Sequence, residues 1–84
     1  MDQDFSPVQH TIVLRRVDTH SNIASFYMLT LERDLFGNVV VTRQWGRVGT
    51  AGRQITEPYP TEEAAVEAMT VLAAAKRKRG YVDL

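Results

Sequence analysis

Ser25-Phe26-Tyr27-Met28-Leu29-Thr30-Leu31-Glu32-Arg33 is the stretch on which the fold turns. Tyr27, Leu29 and Leu31 alternate with Phe26 and Met28, which is the period of two of a β-strand. Apolar side chains on both faces predict a central strand, covered on at least part of each side. Upstream, Thr11-Ile12-Val13-Leu14-Arg15-Arg16-Val17 predicts a first strand, with Ile12 and Leu14 on one face and Val13 and Val17 on the other. The polar loop 18–22 separates the two. Downstream, Asp34-Leu35-Phe36-Gly37-Asn38 carries turn chemistry, Gly37 and Asn38 being suited to positive φ. Three valines, Val39 to Val41, then open a third strand that runs to Trp45.

Gly46, Gly49 and Gly52 interrupt that pattern. The first allows a bulge or a close backbone approach, and the other two bracket a tight turn. A fourth strand is expected from Arg53 to Glu57, ending at Pro58-Tyr59-Pro60. The period then changes. Thr61 is suited to an N-cap, with Glu62 and Glu63 in the first turn. Ala65, Ala68, Met69, Leu72 and Lys76 form one stripe at helical spacing. Gly80 suits the residue after the C-cap, followed by apolar Tyr81. The expected fold is α+β: a single small antiparallel sheet over 11–17, 24–33, 39–45 and 53–57, with one main C-terminal helix, 61–79, packed on one face. Ala65, Met69 and Leu72 should bury against Leu29 or Leu31. Residues 1–10 read as a loose N-terminal arm and 11–84 as the domain.

Composition narrows the function. The 84 residues are 44% hydrophobic and carry ten basic and ten acidic side chains, so the formal net charge is zero. A uniformly basic DNA-coating protein is excluded, whereas a local basic patch is not. The chain has no cysteine, which removes disulfides and thiolate metal sites. His10 and His20 fit no metal-ligand spacing, so no metal and no cofactor is expected. Gly46-x-x-Gly49-x-x-Gly52 matches neither a dinucleotide-binding nor a P-loop pattern, and a strand follows it rather than a helix. No catalytic constellation emerges, and the expectation is a protein that is not an enzyme. No apolar run approaches the ~20 residues of a membrane span, so no membrane contact is expected. Acidic Met1-Asp2-Gln3-Asp4 reads as no signal peptide, which makes a cytoplasmic placement the default.

One constellation remains. Between Leu35 and Thr56 there is no acidic residue, yet Arg43, Arg47 and Arg53 all fall there, around the only tryptophan, Trp45. A tryptophan at a strand end beside a glycine can offer its π face to a base or sugar. An arginine two residues on can reach a phosphate. The bland alternative makes Trp45 core and the arginines solvated surface. The run Lys76-Arg77-Lys78-Arg79 is read first as the complement of the helix dipole and second as a further phosphate contact.

Trp45-Gly46-Arg47-Val48-Gly49-Thr50-x-Gly52 resembles the signature of the WGR domain family. Asn22-x-x-x-Phe26-Tyr27-x-Leu29 is similar to that family's second-strand motif, Asp34-x-x-Gly37 to the turn after it, and Lys76-x-x-x-Gly80-Tyr81 to the ending of its short bacterial members. The resemblance covers about residues 11–82. It implies an antiparallel sheet with one main helix. Such domains occur in poly(ADP-ribose) polymerases that sense DNA breaks and in small bacterial proteins, one described as a molybdate metabolism regulator. The resemblance implies that Trp45 stacks near a DNA end, that Arg47 contacts the backbone near a 5′ phosphate, and that Asn22 assists. Thr50 stands where several of the polymerases carry a basic residue. No catalytic domain accompanies the motif, so ADP-ribosylation is not implied.

The resulting expectation is a non-enzymatic nucleic-acid-binding module for DNA ends or strand breaks, using Trp45 and Arg47, with Arg43 and Arg53 adding positive field and Asn22 assisting. The alternative is a protein-interaction module or accessory subunit in which the same surface docks a protein partner.

Overall fold

The computed structural model describes residues 8–84. Five strands and one helix follow in the order β1 (Val8–Asp18), β2 (Ile23–Arg33), β3 (Val39–Arg47), β4 (Arg53–Tyr59), α1 (Glu62–Lys78) and β5 (Val82–Asp83). They form one antiparallel sheet in the order β4-β3-β2-β1-β5. The fold is the expected α+β arrangement of a single sheet and one helix. Three of the expected strands differ from the sequence reading by more than one residue at an end. β1 begins at Val8 rather than Thr11, while residues 1–7 of the expected arm lie outside the described residues. β3 and β4 each run two residues further, and Pro58 is tolerated inside β4 because that strand is at the sheet edge. The short β5 was not anticipated.

Strand register divides the sheet into two unlike faces. Tyr27 pairs with Leu14 and Trp45, Leu29 with Ile12 and Arg43, and Leu31 with His10 and Val41, so these residues share the face under the helix. Leu14, Tyr27, Leu29, Leu31, Val39 and Val41 are buried there beneath Ala65, Met69 and Ala73 of α1. The expectation for Leu72 is corrected: it is half-buried and Ala73 takes the buried place. Ala65, Met69 and Ala73 lie at i, i+4 and i+8, and a row flanked by alanines brings the helix close to the sheet. Leu72 is thereby turned toward the β3 side. On the opposite face Phe26 and Met28 are half-buried, and among the described residues no helix lies over them.

Local chemistry fixes both helix ends. The Thr61 hydroxyl accepts from the Ala64 N–H at 3.0 Å, and Glu62 is paired with Arg33 at 3.0 Å. At the other end Gly80, with φ +96°, allows the Tyr81 N–H to donate to the Lys76 carbonyl and the Gly80 N–H to that of Arg77, a Schellman closure. The chain then returns to the sheet. Asp83 pairs with Leu14 in β1, and its carboxylate accepts from Arg77 Nε and Nη2 at 2.7 and 2.8 Å. Among the described residues, no helix is long and apolar enough to cross a membrane.

Candidate nucleic-acid interface

The end of the sheet that carries Trp45 is built by two turns. In the β1–β2 turn the Asp18 carboxylate accepts from the N–H groups of His20 and Ser21, and Asn22 adopts φ +54°. In the β3–β4 turn the Thr50 hydroxyl donates to the Arg47 carbonyl at 2.7 Å, and Gln44 Nε2 donates to the Ala51 carbonyl at 2.7 Å. The Val48 N–H donates to the Ala24 carbonyl at 2.8 Å, which ties this turn to β2. The two turns also meet through side chains. Arg47 Nη1 donates to the Asn22 carbonyl at 3.4 Å, so two of the expected site residues are neighbours.

The glycines around Trp45 have a geometric reason. A Cβ on Gly46 would stand 2.7 Å from the Gly52 Cα and 3.5 Å from the Phe26 ring. One on Gly52, where φ is +70°, would overlap the Trp45 carbonyl oxygen and lie 3.0 Å from Phe26. The turn therefore folds against the Phe26 face of the sheet. Trp45 belongs to the other face, pairing with Tyr27 on one side and Arg53 on the other. Its indole packs against the edge of the core and is half-buried rather than enclosed.

Between Trp45 and the last turns of α1 lies an open groove of about 280 Å³, lined by Tyr27, Arg43, Trp45, Leu72, Lys76 and Arg79. Arg43, Lys76 and Arg79 make its polar wall cationic. Lys76 Nζ is 4.7 Å from the centre of the Tyr27 ring and 5.5 Å from that of Tyr81, a cation–π arrangement that fixes the ammonium in place. Partial burial depresses the Lys76 pKa, and the charges of Arg79 and Arg43 depress it further. Beyond Arg43 and Leu72 a second hollow carries Glu57 and Glu67 instead. The helix side of the sheet thus changes sign at Arg43, whose Nη2 reaches Glu57 at 3.3 Å. Arg43 Nε is buried and has no hydrogen-bond partner among the described residues.

The five expected site residues therefore form two groups. Arg47 and Asn22 touch at the tip, both exposed. Trp45 and Arg43 line the groove, while Arg53 is exposed at the start of β4 beside Trp45. Sequence reading did not foresee that Lys76 and Arg79 would face Trp45, nor that Glu57, just past the acid-free stretch, would neutralise part of Arg43. The helical stripe that ended in Lys76 held the signal for the first. Among the described residues no group of three potential metal ligands occurs.

Fold and site together define a small α+β module that presents an aromatic side chain and several cations at one sheet end. The WGR domain family matches this chain over residues 10–84, and the chain belongs to it. An uncharacterized protein of Sinorhizobium fredii, y4dW, is 38% identical over 72 residues, which are 86% of this chain and 35% of that protein. The chain thus spans about a third of the length of that curated relative. No solved structure matches it.

Proposed function

We propose that this WGR domain is a non-enzymatic module that binds nucleic acid at DNA ends or strand breaks. The observation that carries the reading is the half-buried Trp45 indole, open on the helix side of the sheet, with exposed Arg47 two residues further along the same face. Stacking on the indole supplies sequence-tolerant affinity, and the Arg47 guanidinium supplies a phosphate contact. The bond from Arg47 to the Asn22 carbonyl orients that guanidinium. Asn22 acts here through its backbone. A neutral net charge fits a local contact with few phosphates rather than a protein that coats a duplex.

The test is fluorescence anisotropy with blunt, 5′-phosphorylated, nicked and circular DNA across a salt series. Two or three phosphate contacts give a slope of log K against log salt of about −2 to −3. Ends and nicks should bind more tightly than circles. Absence of binding to every form at low salt overturns the reading and leaves a docking role for this surface.

A second reading, a protein partner, is favoured by a different place. Leu35 and Phe36 are 98% and 88% exposed at the β2–β3 turn. That turn is held by the Asp34 carboxylate, which accepts from the Phe36 and Asn38 N–H groups at 2.9 Å. Two large apolar side chains on a fixed turn suit an apolar pocket on another protein.

A further inference from the structure

The Lys76–Arg79 run has more than one task. Arg77 is committed to Asp83, and its guanidinium makes two hydrogen bonds there. Lys76 and Arg79 instead line the groove beside Trp45, together with Arg43. The three come from two separate elements and converge on one hollow that no carboxylate lines. Burial disfavours the charged form of Lys76, and the nearby charges of Arg79 and Arg43 add to that effect. Helix-dipole complementation does not require this convergence, because a solvated lysine at the helix end would satisfy it equally.

We propose that this groove binds a nucleoside phosphate, with its base or sugar against the Trp45 indole and its phosphate between Lys76, Arg79 and Arg43. The inference deepens the reading of Trp45 as a stacking platform and adds a phosphate subsite distinct from Arg47. A volume of about 280 Å³ sits at the lower limit for small-molecule pockets and suits a single nucleotide unit rather than a duplex. Charge complementarity selects the ligand class. A phosphate monoester brings close to two negative charges and three acceptor oxygens, and an anion there offsets the charges of Lys76 and Arg79 together with the part of Arg43 that Glu57 leaves uncompensated. Lys76 is already held over Tyr27 and Tyr81, so little ordering is needed on binding. An acidic peptide offers charge without a ring for Trp45. The nucleotide can be free or can be the terminal unit of a strand, and both present the same groups to the groove.

Because Trp45 is the only tryptophan, its fluorescence reports directly on the groove. The full chain is titrated with adenosine 5′-monophosphate, adenosine, inorganic phosphate, hexaglutamate, and a single-stranded oligonucleotide with and without a 5′ phosphate. The same titrations are run on Lys76→Gln, Arg79→Gln and Arg47→Ala, with thermal melting to confirm that each is folded. The monophosphate should quench or shift Trp45 emission at concentrations where adenosine does not. Loss of Lys76 or Arg79 should weaken it about tenfold, the equivalent of one charge-assisted hydrogen bond. Arg47→Ala should leave the monophosphate unchanged and weaken the oligonucleotide alone. Preference for the phosphorylated oligonucleotide over the free monophosphate assigns the ligand to strand termini, and the reverse assigns it to free nucleotides. Equal binding of adenosine and its monophosphate, equal displacement by hexaglutamate, or indifference to both groove substitutions overturns the proposal. DNA ends that still bind with Lys76 and Arg79 replaced would leave the end-binding reading intact. Groove-dependent quenching by the monophosphate without DNA binding would uphold the groove and remove that reading.

Discussion

Gly46 and Gly52 pack backbone against backbone, so that a Cβ at position 46 would stand 2.7 Å from the Gly52 Cα. The central glycine of the Trp-Gly-Arg signature is thus explained by close approach rather than by an unusual dihedral. Gly49 is the reverse case: its φ is +93°, and nothing lies within 4 Å of a Cβ placed there. Gly49→Ala should cost about 1–2 kcal/mol for the backbone conformation alone. Gly46→Ala should cost about 1–3 kcal/mol through overpacking. Gly52→Ala combines a φ of +70° with overlap on the Trp45 carbonyl and should be the most destabilising of the three. Urea denaturation ranks them. A Gly52→Ala protein as stable as the parent would show that the turn repacks freely.

Replacement of Trp45 should separate stability from binding. Deleting a fully enclosed tryptophan costs about 3–5 kcal/mol, and the half-buried position of Trp45 predicts a smaller loss, about 1–3 kcal/mol. DNA affinity per folded molecule should fall by about 1–3 kcal/mol as stacking is lost. Melting and affinity must be measured on the same Trp45→Ala protein. Unchanged affinity with a large loss of stability would return Trp45 to a purely structural role.

Arg47 is exposed, and among the described residues its guanidinium makes one long hydrogen bond, to the Asn22 carbonyl. Arg47→Ala should therefore change stability by no more than about 0.5 kcal/mol while reducing the salt slope of DNA binding by about 1. Arg47→Lys should recover the charge and only part of the affinity, since a lysine lacks the planar fork. A salt series on the three proteins decides it, and an unaltered slope in Arg47→Ala removes the phosphate contact.

Within α1 the two large apolar residues should behave differently. Met69 is 2% exposed and lies over the buried strand face, so Met69→Ala should cost about 2–5 kcal/mol. Leu72 faces the groove and is half-buried. Its truncation should cost less, about 1–2 kcal/mol, and should enlarge the groove beside Trp45. Equal losses in thermal or chemical unfolding would contradict the observed helix rotation.

Two carboxyls give a signed pH dependence. The side-chain amide and backbone N–H of Asn38, with the Phe36 N–H, hold Asp34 below the ordinary carboxylate range, and the Arg77 guanidinium does the same for Asp83. Each folded pKa lies under its unfolded value. The stabilisation is therefore complete above about pH 4 and is lost as pH falls through the folded values. Carboxyl-carbon NMR titration should place both midpoints below about 3.9. Midpoints at or above it would mean that these contacts do not persist in solution.

Much of this was legible in sequence because it follows from local periodicity. Tyr27, Leu29 and Leu31 marked the buried strand face, and Thr61, Gly80 and Tyr81 marked the helix ends, each through chemistry confined to a few neighbours. What was not legible depends on tertiary placement. Val82 and Asp83 are too short a run to show a period, and they become a strand only because α1 delivers them beside Leu14. The choice between Leu72 and Ala73 was set by how closely an alanine-flanked row approaches the sheet. The partnership of Arg43 with Glu57, and of Lys76 with Trp45, joins residues on different elements, where sequence distance carries no information.

The sheet order β4-β3-β2-β1-β5 also implies a sequence of events in time. The first three pairings are hairpins closed by turns of a few residues, whereas pairing Leu14 with Asp83 closes a loop through nearly the whole domain. On a logarithmic loop-closure scale that last step is disfavoured by about 2 kcal/mol relative to a hairpin. The meander is therefore expected to form first, with α1 settling onto it and β5 docking last. We predict that substitutions at Val82 or Asp83 accelerate unfolding and leave the refolding rate nearly unchanged, whereas changes at Gly37 slow refolding. Stopped-flow chevrons would reveal it, and a slowed refolding limb for the Val82 or Asp83 variants would reverse the order. The last strand would then act as a latch, governing how long the domain stays folded rather than how quickly it gets there.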